Sequence, residues 1–146
     1  MTVWTEVWPV TVDELGLWLV SGEDALRSDG PVMSDTGPRG QVRTELLPRL
    51  NVPAADLPRV LLALASTADT RVEERGLIIT FVAFLRSDGP VRDRWPNARP
   101  ITADSPALLL DALRHVRDLG DAELDQDGIE RPVVLDETWR PHLNAL

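Results

Sequence analysis

The chain has 146 residues, 24 acidic against 15 basic for a net charge of −9, so it is long enough to bury a core and is repelled by nucleic acid and anionic membrane. It contains neither cysteine nor lysine, which excludes disulfides, thiolate metal sites, cysteine nucleophiles, Schiff-base lysines and a P-loop. The longest apolar run, Leu77 to Leu85, is interrupted by Thr80 and too short for a bilayer; no signal-peptide pattern opens the sequence, and a cytoplasmic protein is expected.

Thr2 to Val10 is rich in β-formers and predicts a strand with Trp4, Glu6 and Trp8 on one face and Val3, Thr5 and Val7 on the other. Pro9 is expected to put that strand at a sheet edge or to end it. Thr11 to Leu26 supports two readings. Thr11-Val-Asp-Glu14 has the form of a helix capping box, whereas Gly16 and the run Leu17-Trp18-Leu19-Val20 favour a strand. The heptapeptide Leu26 to Val32 (Leu-Arg-Ser-Asp-Gly-Pro-Val) then recurs letter for letter at Leu85 to Val91. With fainter likeness upstream, this defines a weak internal repeat over 11–32 and 70–91, a strand-turn unit used twice. Asp-Gly suits a tight turn and Gly-Pro a helix stop; strand then turn is expected in both copies.

Val32 to Gly40 reads as a loop, and Gln41 to Leu50 as a helix burying Val42, Leu46, Leu47 and Leu50, limited by Pro48. Asp56 is a candidate N-cap for a second helix carrying Leu57, Val60, Leu61, Leu64 and Ala68 at a 3.6 period. Gly76 to Leu85, dominated by Ile, Val, Phe and Thr, predicts a buried central strand, followed by an irregular connection from Arg92 to Thr102. Ser105 as N-cap, Pro106 at the first position and Gly120 as stop bracket a helix with the buried stripe Leu109, Ala112, Leu113, Val116 and Leu119. Asp121 to Asp127 reads as an acidic turn and Arg131 to Leu135 as a last strand; Thr138 to Leu146 shows no pattern. The expected class is α+β: a single compact domain, 1–146, with a mostly antiparallel sheet packed against about three helices, an all-α fold being the runner-up.

No constellation announces a reaction. The acidic run 121–130 fits part of a calcium loop but has Val134 where the bidentate Glu belongs and Pro132 inside it, so a solvated turn is expected. His115 and His142 have no convergent ligands in sequence, and Asp111 with His115 suits a helix-surface pair. There is no Gly-x-Ser-x-Gly elbow and no His-Glu-x-x-His. No catalytic residue, metal or cofactor is expected, and an enzyme is not the favoured reading. Arg86 to Arg99 is the one locally basic place, with Trp95 among its arginines. Arg92, Arg94, Trp95 and Arg99 are therefore candidate binding residues, the alternative being Trp95 folded back as a cap on the sheet. Arg114 and His115 are added as polar contacts of an apolar pocket. The favoured function is binding, through protein–protein interaction in a homodimer or complex. Two alternatives stand beside it: a small-molecule binder or enzyme with a pocket lined by Trp4 and Trp8, or an inhibitor or immunity-type protein for a basic target.

Overall fold

A computed structural model describes residues 2–69, 76–118 and 137–146, with only the backbone described for 66–69. The upstream part of the second repeat, the predicted stop at Gly120, the acidic run 121–130 and the predicted strand Arg131 to Leu135 lie outside the described residues. The class is α+β, built on a mixed six-stranded sheet.

The sheet is organised around β1 (Thr2–Asp13), which has partners on both sides. Along one side β5 (Gly76–Phe84) runs parallel to it from Thr2↔Gly76 to Val10↔Phe84. On the other side β3 (Leu26–Arg27) pairs antiparallel with Glu6 and Val7, and β2 (Gly16–Leu19) pairs antiparallel with Val10 to Asp13. β4 (Leu61–Asp69) adds antiparallel to β5, and β6 (Arg99–Pro100) to β2, giving the order β4-β5-β1-β2-β6. Four of these five pairings are antiparallel.

Pro9 corrects the sequence expectation, because it sits inside the most central strand. Its carbonyl accepts from the Val20 N–H at 2.9 Å, while that of Val10 accepts from Leu85 on the opposite side at 2.8 Å. The Pro9 nitrogen therefore faces the flank where β1 passes from β3 to β2, and only one ladder donor is missing there. The capping-box reading of Thr11 to Glu14 is also set aside: these residues finish β1 and turn into β2, and Asp13 Oδ1 accepts the Leu15 N–H at 2.8 Å.

The predicted helix from Leu57 to Ala68 is instead a 3-10 turn (Leu57–Arg59) followed by β4. Apolar spacing satisfied both periods, and cross-strand pairing with β5 decided between them. Alternation is visible in the packing. Leu62 joins Val42, Leu46 and Phe81 on one face of the sheet, and Ala63 and Ala65 join Leu109 and Leu113 on the other. The small side chains let a helix approach closely.

Both faces of the sheet are covered. One packs against α3 (Ala107–Asp118) and α4 (Arg140–Asn144) through Leu109, Leu113, Val116, Trp139 and Leu143, with Trp139 edge-on to Phe84 at 5.0 Å. Helix α3 buries the predicted stripe through Val116; Leu119 lies outside the described residues. The Ser105 hydroxyl accepts from the Thr102 N–H at 2.8 Å within the preceding turn, and the Pro106 carbonyl takes the helix bond from Leu110. The other face packs against a helical run made of α1 (Gly37–Gln41), a π turn (Val42–Leu46) and a 3-10 turn (Leu47–Leu50), burying the four predicted residues Val42, Leu46, Leu47 and Leu50. The widening has a cause in Pro48, whose ring cannot sit beneath the carbonyl four residues back; the Leu47 N–H reaches Val42 instead. Asn51, at φ 51°, ends the run in the left-handed region.

The two heptapeptides flank β1 from opposite sides: Ser28 N–H bonds the Thr5 carbonyl, and Leu85 N–H that of Val10. Each bends at Asp-Gly after its strand. Identical residues nevertheless do different work. The Ser28 hydroxyl accepts from the Thr5 N–H at 3.2 Å in the buried interior, whereas the Ser87 hydroxyl donates to Gly89 O at 2.7 Å within its own exposed turn.

Candidate functional site

The Arg86 to Arg99 segment is tied into the fold. After the short helix α2 (Val91–Arg94), Trp95 is 5% exposed and its Nε1 donates to the Leu50 carbonyl at 2.5 Å. Arg94 donates to the Asn51 carbonyl through Nε and Nη2 at 3.3 and 3.1 Å and to the Arg86 carbonyl at 3.2 Å, its guanidinium lying 4.5 Å from the Trp95 ring centre. Arg92 stacks over Trp18 at 5.3 Å. Arg92, Arg94 and Trp95 thus come together as a seal between α2, the end of the π/3-10 run and the sheet. Arg99 lies apart, in an exposed ion pair with Glu23 at 2.7 Å.

Arg39 and Arg43, one turn apart, form a second internal clamp that sequence spacing did not single out. Arg39 Nη1 donates to the Leu62 carbonyl with its guanidinium 4.9 Å over Phe81. Arg43 donates to the carbonyls of Leu57 and Val60 at 3.3 and 3.1 Å. Burial, with the neighbouring Arg43 charge behind it, lowers the Arg39 guanidinium to about 10, and burial also lowers that of Arg43. Between this run and the sheet lies a polar node. The Thr5 hydroxyl donates to Gln41 Oε1, and Gln41 Nε2 donates to the carbonyls of Gly30 and Pro31 at 3.1 and 3.2 Å. It fixes the first heptapeptide against β1 and α1.

Arg114 and His115 sit on α3, away from the tryptophan seal and on the other covered face of the sheet. His115 is exposed, whereas Arg114 borders a cleft of about 350 Å³ where four separate stretches meet. Leu15 and Leu17 come from the β1–β2 hairpin, Ile101 from the segment after β6, Leu110 and Arg114 from α3, and His142 from α4. The hairpin places Leu15 at its tip, 85% exposed, beside the buried Leu17. The Ile101 N–H bonds Leu17 O at 2.8 Å and holds the loop after β6 against β2. Arg117 Nη1 donates to Leu146 O at 3.0 Å, fixing the chain after α4 against α3. Arg114 Nη1 is 4.0 Å from Asp111 Oδ1, a loose surface pair. The cleft is therefore an apolar floor with one guanidinium, one imidazole and a protruding leucine. Such a lining can bury an apolar group and offers a guanidinium and an imidazole as polar contacts. Among the described residues no group of three or more His, Asp or Glu could hold a metal ion. No described helix is long and apolar enough to cross a membrane.

Sequence reasoning reached Arg114 but not its setting, because spacing along the chain carries no trace of a cleft assembled from four stretches. Comparison with family models, curated proteins and solved structures returns no match.

Proposed function

We propose that this chain acts by binding another protein, and that the cleft between the β1–β2 hairpin, the loop after β6, α3 and α4 is its recognition surface. The observation that carries the reading is Leu15, a large apolar side chain 85% exposed at the lip of an apolar depression. Scattered exposed leucines need no explanation, but one standing beside a depression of this size gives a partner both a knob and a hole. Of the two readings of the arginine and tryptophan cluster, binding site or cap on the sheet, the buried Trp95 with its ring N–H already bonded supports the cap. A small-molecule ligand in the same cleft is the second reading, favoured by a volume within the usual range for such sites.

A photo-crosslinking amino acid placed at the exposed, cleft-lining Ala103 tests the reading, with a control at the exposed Asp88 beside the tryptophan seal. Crosslinking in the native cell is expected to give an adduct of discrete protein mass from position 103 and none from position 88. Equal yields, or an adduct from position 88 alone, contradict it.

A further inference from the structure

Resting on that reading, we propose that the segment docking in the cleft is basic: an aliphatic side chain that fills the apolar floor, flanked by arginine or lysine. Charge complementarity around the lining favours such a partner. Glu14, Asp104 and Asp111 are each the chain neighbour of a lining residue, and each is exposed. None of them is in the lining itself; each stands one residue from it, on the hairpin tip, the loop before α3 and α3. Against these three carboxylates stand the Arg114 guanidinium, which Asp111 partly answers at 4.0 Å, the Arg117 guanidinium on Leu146 O, which Asp118 answers at 2.9 Å, and the imidazoles of His142 in the lining and His115 next to Arg114 in the chain. Among the described residues none of the three carboxylates makes a short ion pair comparable to Arg99–Glu23 at 2.7 Å. Their field therefore faces solvent, where an incoming cation meets it. The chain as a whole carries −9, so the long-range field has the same sign as the local one. A partner segment with its own carboxylates would meet like charge at the rim and lose both encounter rate and register. The apolar part of the lining explains the other half of the preference: a wholly hydrophilic basic peptide leaves the exposed Leu15 and the half-buried Ile101 uncovered.

The test is a titration of the folded, ¹⁵N-labelled full chain with two capped hexapeptides, each with two central leucines, one flanked by arginines and one by glutamates. The arginine peptide is expected to shift the amides of Gly16, Ala103, Leu110 and Ala145 with saturation and to bind about tenfold tighter at low salt. That ratio is expected to fall to about two- or threefold near 0.5 M salt, as screening removes the rim's contribution. In the E14K/D104K/D111K variant, all at exposed positions, the preference should invert. Equal or tighter binding of the glutamate peptide at the cleft overturns the charge assignment and leaves the docking reading standing. Shifts from the arginine peptide centred on acids away from the lining, such as Asp29, Asp35 and Asp56, overturn the site. Absence of cleft shifts with either peptide overturns the docking reading itself.

Discussion

Replacing Arg43 by alanine removes a clamp whose value can be worked from its geometry. The guanidinium donates to Leu57 O at 3.3 Å and to Val60 O at 3.1 Å, joining the π turn to the segment that leads into β4. A hydrogen bond with one charged partner contributes about 1.5–3 kcal/mol when well buried. Arg43 is half-buried and its contacts are long, which brings each bond to roughly 1 kcal/mol. Its lowered pKa records the opposing cost of desolvating the cation. The expected loss for Arg43→Ala is therefore about 2 kcal/mol, or a fall of about 4–8 °C in Tm for a chain of this size. Arg43→Lys, an ammonium without the planar fork, should recover no more than about half. Urea unfolding of the three proteins, followed by tryptophan fluorescence, gives the differences directly. An Arg43→Ala protein within about 0.5 kcal/mol of the parent, the ordinary range for a surface substitution, refutes the clamp.

Further outcomes follow from the same packing. Gly22 has φ +92°, and a Cβ there would lie 2.7 Å from the Asn97 carbonyl oxygen, so Gly22→Ala should cost about 1–3 kcal/mol by urea unfolding. Leu113 is fully buried between α3 and the sheet, and Leu113→Ala should cost about 2–5 kcal/mol by the same assay. The hydrogen bond from Arg117, then its charge and that of His115, hold the Asp118 carboxyl below its ordinary 3.8. A depressed carboxyl pKa favours the folded contact above 3.8 and loses it as pH falls through the depressed value. The Asp118 side-chain resonance should therefore titrate below 3.8 by NMR and return toward that value in Arg117→Ala. Leu15→Asp, at an exposed hairpin tip, should leave unfolding stability within about 0.5 kcal/mol of the parent.

Much of the fold could be read from the chain where punctuation and period agree. Ser105, Pro106 and the stripe from Leu109 to Val116 marked α3 because apolar spacing and helix-start residues pointed the same way. The β-branched run in 76–84 marked β5 for a similar reason. The stretch from Leu57 to Ala68 misled because Leu and Ala are good helix formers and their spacing suits a helix face; only the pairing of β4 with β5 reveals a strand. Pro9 misled because its meaning depends on which flank its nitrogen faces, a property of tertiary pairing. The site was less legible. Trp95 could be read as an exposed anchor or as a cap folded back on the sheet, because its partner, the Leu50 carbonyl, lies 45 residues away. Arg114 was singled out on α3, but Leu15, Ile101 and His142 meet it only through hairpin, loop and terminal-helix packing.

The yield of the Ala103 crosslink in two variants, Leu15→Asp and Trp95→Phe, most directly separates recognition from architecture. Trp95→Phe removes the ring N–H that bonds Leu50 O and is expected to lower stability while leaving the folded protein's crosslink intact. Leu15→Asp is expected to preserve stability and abolish the crosslink. A crosslink that survives Leu15→Asp and disappears from folded Trp95→Phe would contradict the account and move recognition to the tryptophan seal.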